Sequence, residues 1–158
     1  MTRFRSELTF DADKTRVFNA LHHYKHDRDP NAFFLGPWLL TFVDMQFEIL
    51  TENPVGLGAT YAWAISVLGR EILRFHEQII EWKQDELVVY RAVSGWDMEF
   101  RTEVLERDAG SLLIVEINIT FGHPLLDRIL RPFVQFGLGK VCQKLVERGL
   151  RRELGLAS

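Results

Sequence analysis

Hydrophobic and polar residues alternate strictly at the start of the chain. The even positions carry Phe4, Ser6, Leu8 and Phe10, whereas the odd positions from Arg3 onward carry charged or hydroxyl-bearing side chains. Successive side chains of a strand point to opposite faces of a sheet, so a period of two predicts a strand with one buried face. We therefore expect a half-buried first strand.

The spacing then changes to that of a helix. Asp11 or Asp13 supplies a capping oxygen, and the helix is predicted to run to about Tyr24. Its apolar side carries Val17, Phe18 and Leu21. Residues 22–30 are polar and end in a proline, and residues 31–40 predict a second short helix.

A period of two returns between Thr41 and Phe121 and predicts six further strands. Short turns rich in glycine, asparagine and aspartate separate them, as at Leu68-Gly69. Short connections join antiparallel neighbours, so we expect a meander. The predicted strands cover residues 43–49, 59–67, 71–82, 87–94, 97–106 and 112–121.

The last part of the chain predicts a long amphipathic helix. Pro124 suits a first helical position, and apolar residues recur at spacings of three and four up to about Leu154. These residues are Leu126, Leu130, Phe133, Val134, Val141, Leu145 and Val146. Gly137 and Gly139 each cost about 1 kcal/mol relative to alanine in an ordinary helix interior. They indicate either a close approach to the sheet or room for a ligand.

Length and charge limit the class of protein. The 158 residues suit a single domain spanning 1–158, and the net charge of −3 argues against a nucleic-acid binder. The single Cys142 excludes an intramolecular disulfide, and the charged first seven residues lack the apolar stretch of a signal peptide. We therefore expect a cytoplasmic protein.

The aromatic residues are unusual in kind. Twelve Phe and four Trp stand against only three Tyr, so most of the rings carry little polar capacity. Such rings form a core, line a pocket or create an adhesive surface.

The order of elements resembles that of the START-type helix-grip superfamily, which includes the major birch pollen allergen and the polyketide cyclase/dehydrase-like proteins. The resemblance covers nearly the whole chain and is carried by the segment from Phe10 to Phe18 and by the strand opening from Val55 to Tyr61. It implies an α+β fold in which a curved antiparallel sheet of about seven strands wraps around a long C-terminal helix. It also implies a hydrophobic cavity between them.

The more apolar side of each strand supplies candidate residues for the cavity wall. The strand candidates are Phe4, Leu8, Phe47, Tyr61, Trp63, Phe100, Val104, Val115 and Ile117, and the helix candidates are Phe133, Phe136 and Gly137. Trp96 follows Gly95 at a turn, where a ring would cover an entrance. The alternative is that these rings pack against one another as a dry core.

The strand at residues 71–82 has two mixed faces, so alternation does not identify the inward side. If one face is inward, His76 and Arg74 become polar groups in an apolar pocket, able to orient a carbonyl or transfer a proton. If the other face is inward, Glu77 takes that place. A third interpretation leaves all of these residues in solvent.

Other motifs carry less chemistry. His22 and His26 share a helix face, but the zinc pattern His-Glu-x-x-His is absent, so we interpret them as solvated helix-end residues and predict no metal. Gly56 and Gly58 lead into a strand and not a helix, which excludes a dinucleotide loop, and we predict no cofactor. Cys142 is interpreted as inert packing.

A run of cations follows in the last helix: Lys140, Lys144, Arg148, Arg151 and Arg152. These residues either bind anionic lipid headgroups or form a solvated face. Glu147 and Glu153 interrupt the run and favour the solvated face.

The leading functional hypothesis is a module that binds a small hydrophobic or aromatic ligand, such as a lipid, polyketide or isoprenoid. Its candidate ligand-binding residues are Tyr61, Trp63, His76, Trp96, Phe100, Phe133 and Phe136. The resemblance also implies two alternatives. One is a polyketide cyclase/dehydratase-like enzyme that uses His76 or Glu77 for proton transfer, and the other is a coenzyme-Q-type lipid chaperone.

Overall fold

The computed structural model describes residues 1–27, 42–94, 97–120, 124–132, 137 and 139–156. The strands are β1 (Thr2–Phe10), β2 (Val43–Ile49), β3 (Thr60–Val67), β4 (Arg70–Lys83), β5 (Leu87–Ser94), β6 (Asp97–Arg107) and β7 (Gly110–Thr120). The helices are α1 (Lys14–Asp27), α2 (Pro124–Pro132) and α3 (Gly139–Leu154). Each predicted strand is confirmed, with bounds that differ by at most two residues.

All seven strands form one antiparallel sheet in the order β1-β7-β6-β5-β4-β3-β2. The meander from β2 to β7 follows the chain, and β1 adds to the far edge beside β7. The turn between β3 and β4 places Leu68 at φ 51° and Gly69 at φ 75°. Two successive residues with positive φ match the twist of a two-residue hairpin.

Two irregularities bend β4. The register with β5 shifts between His76 and Glu77 and again between Ile79 and Glu81. Such bulges bend a strand and increase its twist, which suits a sheet that curls around a helix.

The helices α1 and α3 pack on the concave face of this sheet. The Asp13 carboxylate accepts a hydrogen bond from the Arg16 backbone N–H at 2.8 Å, which caps α1. The main core combines residues of both helices with inward side chains of the sheet. The helix residues in this core are Val17, Phe18 and Leu21 of α1 and Val146, Leu150 and Leu154 of α3.

Gly139 lies where α3 passes the first strand. A Cβ added to Gly139 would come within 2.3 Å of the Phe4 ring, so only a residue without a side chain fits this approach. The sequence left two explanations for glycine in the last helix, a close approach to the sheet or room for a ligand. At Gly139 the close approach to the sheet explains it.

Two sequence expectations differ from the structure in detail, namely the burial of Val141 and the end of α1. The predicted second short helix at residues 31–40 lies outside the described residues. The long last helix is described in two parts, α2 and α3, because residues 133–136 and 138 lie outside the described residues. Val141, which the sequence predicts on its apolar side, is 54% exposed. α1 continues to Asp27 and does not end near Tyr24.

Candidate functional site

Aromatic side chains from three adjacent strands line the concave face. The Phe47 ring stacks on Tyr61 with centroids 5.3 Å apart and meets the Trp63 ring at 4.8 Å. Trp63 in turn stacks on Phe75 at 6.4 Å. The register explains the row, since Phe47 is opposite Trp63 and Trp63 is opposite Phe75. We refer to Phe47, Tyr61, Trp63 and Phe75 as the aromatic wall.

Glu77 brings a carboxyl group to this apolar wall. It is opposite Tyr61 on β3 and its residue is only 6% exposed. The indole N–H of Trp63 donates a hydrogen bond to Glu77 Oε1 at 2.9 Å. The site therefore combines apolar rings with a strong hydrogen-bond acceptor.

The Tyr61 hydroxyl is held at the edge of the wall. It donates a hydrogen bond to the Pro54 carbonyl at 2.5 Å, which ties the turn between β2 and β3 to the interior. Burial, and then the charge of neighbouring Glu77, raise the pKa of Tyr61 well above its usual value. Tyr61 therefore stays protonated and remains a donor at neutral pH.

This shift predicts a loss of stability in alkali. Below about pH 10 both the folded and the unfolded chain keep the Tyr61 proton, but above it only the unfolded chain releases the proton. Because the pKa is raised in the folded state, the free energy of unfolding should fall by up to about 1.4 kcal/mol per pH unit above pH 10. Urea unfolding between about pH 9 and pH 11 measures this slope. In the Tyr61→Phe variant the free energy of unfolding should fall less steeply with pH. Equal slopes for the two proteins would contradict the effect of Tyr61.

His76 lies on the convex face, which corrects the expectation that it lines the interior. It is opposite Ala62, whereas its neighbours Phe75 and Glu77 are opposite the inward residues Trp63 and Tyr61. The His76 backbone N–H donates to Ser94 Oγ at 3.1 Å. Of the two faces left open by the sequence, the one that carries Glu77 is inward.

A second aromatic cluster surrounds His22. This residue is only 5% exposed, and its Nδ1 lies 2.7 Å from the Tyr90 hydroxyl. The rings of Phe18, Trp82 and Tyr90 lie 4.6, 5.6 and 6.1 Å from the imidazole. The interpretation of His22 as a solvated helix-end residue is therefore wrong.

The sequence did contain a signal for His22. It lies one helical turn after Phe18 and next to Leu21, both of which were predicted to be buried. Because residues at i and i+4 share a face of a helix, the helix predicted to Tyr24 already places position 22 on the same face as the buried Phe18. The error came from grouping His22 with the polar segment 22–30, although it also lies within the predicted helix.

Phe100 contacts residues of both neighbouring strands on the concave face. It is opposite Tyr90 on β5, with ring centroids 6.0 Å apart, and opposite Ile117 on β7. Its ring packs against the main core and against a smaller cluster formed by Ile117 and Ile119. The structure therefore brings Tyr61, Trp63 and Phe100 to the same face, as the sequence predicts.

The structure does not test all of the remaining candidate residues. Trp96, Phe133 and Phe136 lie outside them. Burial raises the pKa of the Cys142 thiol to about 11, which keeps it protonated and fits the interpretation of inert packing.

Within the described ranges, His, Cys, Asp and Glu side chains form no group of three suited to a metal ion. None of the helices in the described part of the chain is long and apolar enough to cross a membrane.

Comparison with known proteins identifies the fold. No family model and no curated protein matches the sequence significantly. The crystal structure of TTHA0849 from Thermus thermophilus has a TM-score of 0.72 at 17% identity, over 99% of each chain. Ara h 8.0201 gives 0.67 at 17% identity over 97% of each chain. An AHSA1-like protein from Aeromonas hydrophila gives 0.60 at 8% identity, over 99% of this chain and 96% of that one.

These identities are low, so the comparisons establish the fold and nothing finer. The helix-grip fold implied by the resemblance is confirmed. A shared fold does not by itself imply a shared function.

Proposed function

We propose that the chain binds a small hydrophobic or aromatic molecule between the concave face of the sheet and α3. The observation that supports this best is the aromatic wall facing the interior beside Glu77. Apolar burial contributes about 25 cal/mol for each Å² removed from water, before the cost of association is subtracted. Flat rings therefore provide most of the affinity, and the carboxyl group orients the guest.

Ala92 supports a binding space beside the carboxyl group. It is opposite Glu77 on β5 and is incompletely buried. A methyl side chain here leaves room next to the polar group, whereas a larger residue would fill it. The aromatic wall, the Glu77 carboxyl group and the small Ala92 side chain together form the arrangement expected of an apolar pocket with one polar group.

The proposal is tested by titration with N-phenylnaphthylamine, a neutral apolar probe that fluoresces when it leaves water. We expect saturable binding of one probe per chain. Ala92→Trp should weaken that binding by about tenfold or more, because the indole occupies the space beside Glu77. Circular dichroism checks that the variant is folded.

Ala62 offers a matched control. It is opposite His76 on the convex face and is also incompletely buried. Ala62→Trp should leave probe affinity within about twofold of the parent protein. Absence of saturable binding, or equal effects of the two substitutions, would contradict an interior site.

A proton-transfer enzyme similar to the polyketide-processing proteins is the second candidate. It is favoured by the inward Glu77 beside Tyr61, while His76 points away from the interior. In its carboxylate form Glu77 would take a proton from a carbon next to a carbonyl and later return one. Deuterium exchange into an aryl ketone, followed by NMR, tests this chemistry. Exchange that is abolished by Glu77→Gln, and unchanged by Glu103→Gln on the convex face, would support it.

The coenzyme-Q-type lipid chaperone is a narrower version of the binding proposal. The same interior and the exposed cations of α3 support it. A cytoplasmic location also stays a prediction, supported by the single Cys142.

A further inference from the structure

Several elements end at the same end of the sheet. Val67 pairs with both Val43 and Arg70, which places the start of β2 and the β3–β4 turn together. The start of β6 and the end of β7 meet there in the antiparallel meander, since Asp97 pairs with Thr120. We call this the hairpin end of the sheet.

The last two helices are tied to the hairpin end. α2 begins four residues after the end of β7, and α3 begins at Gly139, against the Phe4 ring near the start of β1. The other end of α3 lies beside α1, where Arg16 donates to the Leu154 carbonyl. In the sequence, α2 therefore lies between the end of β7 and Gly139, and both of these points are at the hairpin end.

The β3–β4 hairpin extends beyond its neighbour β5. Pairing with β5 stops where His76 meets Ser94, but β4 begins six residues earlier at Arg70. The tip of this hairpin carries Leu68, which is 74% exposed and has φ 51°. Left-handed backbone is disfavoured for leucine, and asparagine or glycine is usual at such a turn. An exposed apolar residue in a strained position indicates a function for its side chain.

Further apolar side chains are exposed at the same end. Ile72 of the hairpin is 64% exposed, and Leu125 and Ile129 of α2 are 59% and 62% exposed. Leu125, Arg128 and Ile129 are spaced i, i+3 and i+4 and so share one stripe of α2. Apolar side chains interleaved with cations along an exposed helix are typical of segments that lie in a membrane interface.

The charge of this region is opposite to that of the chain. Residues 124–144 contain four cationic side chains and one acidic one, whereas the whole chain carries a net charge of −3. The four are Arg128, Arg131, Lys140 and Lys144, and all are exposed. A local cationic surface on an acidic protein is complementary to an anionic one.

We propose that the hairpin end docks on an anionic lipid bilayer. Leu68, Leu125 and Ile129 enter the headgroup region, and the cations of α2 and of the start of α3 pair with lipid phosphates. The proposal does not depend on a ligand in the interior.

Vesicle flotation tests it, using vesicles of phosphatidylcholine alone and of equal moles of phosphatidylcholine and phosphatidylglycerol. We expect the chain to float with the anionic vesicles only. Leu68→Asn should lower the partition coefficient by about tenfold or more, although asparagine tolerates the turn better than leucine does. Arg128→Gln with Arg131→Gln should lower it by roughly 30-fold, at about 1 kcal/mol for each cation near the surface.

The opposite end of the sheet provides matched controls. Leu57, in the turn between β2 and β3, is 73% exposed, so Leu57→Asn removes an equally exposed leucine. Lys83→Gln with Arg107→Gln removes two exposed cations there. Both controls should float like the parent protein.

Three results would overturn the proposal. The first is that the chain floats with neither kind of vesicle. The second is that the test and control variants lose vesicle binding equally. The third is that none of the substitutions changes flotation. Sedimentation velocity without lipid adds a further check. Self-association that Leu68→Asn abolishes, in a chain that does not float, would assign the hairpin end to a protein interface instead.

Discussion

Replacing Gly110 with alanine is expected to lower the free energy of unfolding by about 3 kcal/mol or more. Gly110 has φ 124° at the start of β7, a conformation that residues with a Cβ rarely adopt. A Cβ there would lie 2.2 Å from the Phe10 carbonyl oxygen and 3.2 Å from Asp11 Cα. Both contacts are with backbone, so relief requires a shift of the chain between β1 and α1.

A substitution at Gly69 distinguishes the backbone strain caused by a positive φ from the steric clash of the added Cβ. It also has a positive φ, of 75°, but an added Cβ would meet no atom within 4 Å. Gly69→Ala should therefore cost only the backbone strain, about 1 kcal/mol. Urea unfolding followed by tryptophan fluorescence gives both values. Equal losses for the two variants would contradict the close approach of Gly110 to β1.

Replacing Trp63 is the second change with a large expected effect. Trp63→Ala removes a ring that is 5% exposed from the centre of the aromatic wall and should cost about 4 kcal/mol. Trp63→Phe keeps an apolar ring but removes the N–H donor to Glu77, and should cost about 2 kcal/mol. Urea unfolding measures both variants.

A double-mutant cycle isolates the hydrogen bond. If Trp63→Phe destabilises by removing a donor to a buried carboxyl group, the same change should cost less in a Glu77→Leu background. A loss that is independent of residue 77 would show that the ring alone accounts for it.

Regular alternation made much of the sheet predictable from the sequence. Phe4, Leu8 and Phe10 of β1 face inward as their period of two indicates, and the same holds for Tyr61 and Trp63 of β3. Here each strand has one clearly apolar face, and burial of that face fixes its orientation.

The orientation of β4 was not predictable, for a physical reason. Ile79 and Trp82 both pack on the main core although they are three positions apart, because the register shift between Ile79 and Glu81 inserts an extra residue. A bulge reverses the alternation after it, and nothing in the residues 71–82 indicates where one occurs. The inward position of Glu77 and the outward position of His76 therefore needed the three-dimensional structure.

His22 shows a similar limit over a longer separation. Its hydroxyl neighbour Tyr90 is 68 positions away along the chain, so no local pattern connects them. A buried polar side chain needs such a neighbour, and only the folded sheet provides one here. Sequence periodicity predicts which elements form, but not which distant polar groups meet between them.

The most direct test of an interior binding site is the NMR signal of the Trp63 indole N–H during titration with N-phenylnaphthylamine. If the guest binds against the aromatic wall, this signal should shift in a saturable manner, and the exposed Leu57 and Leu68 amides should not. Ala92→Trp should suppress the shift and Ala62→Trp should not. Saturable binding that leaves the Trp63 signal unmoved, or no saturable binding at all, would contradict an interior site for an apolar ligand.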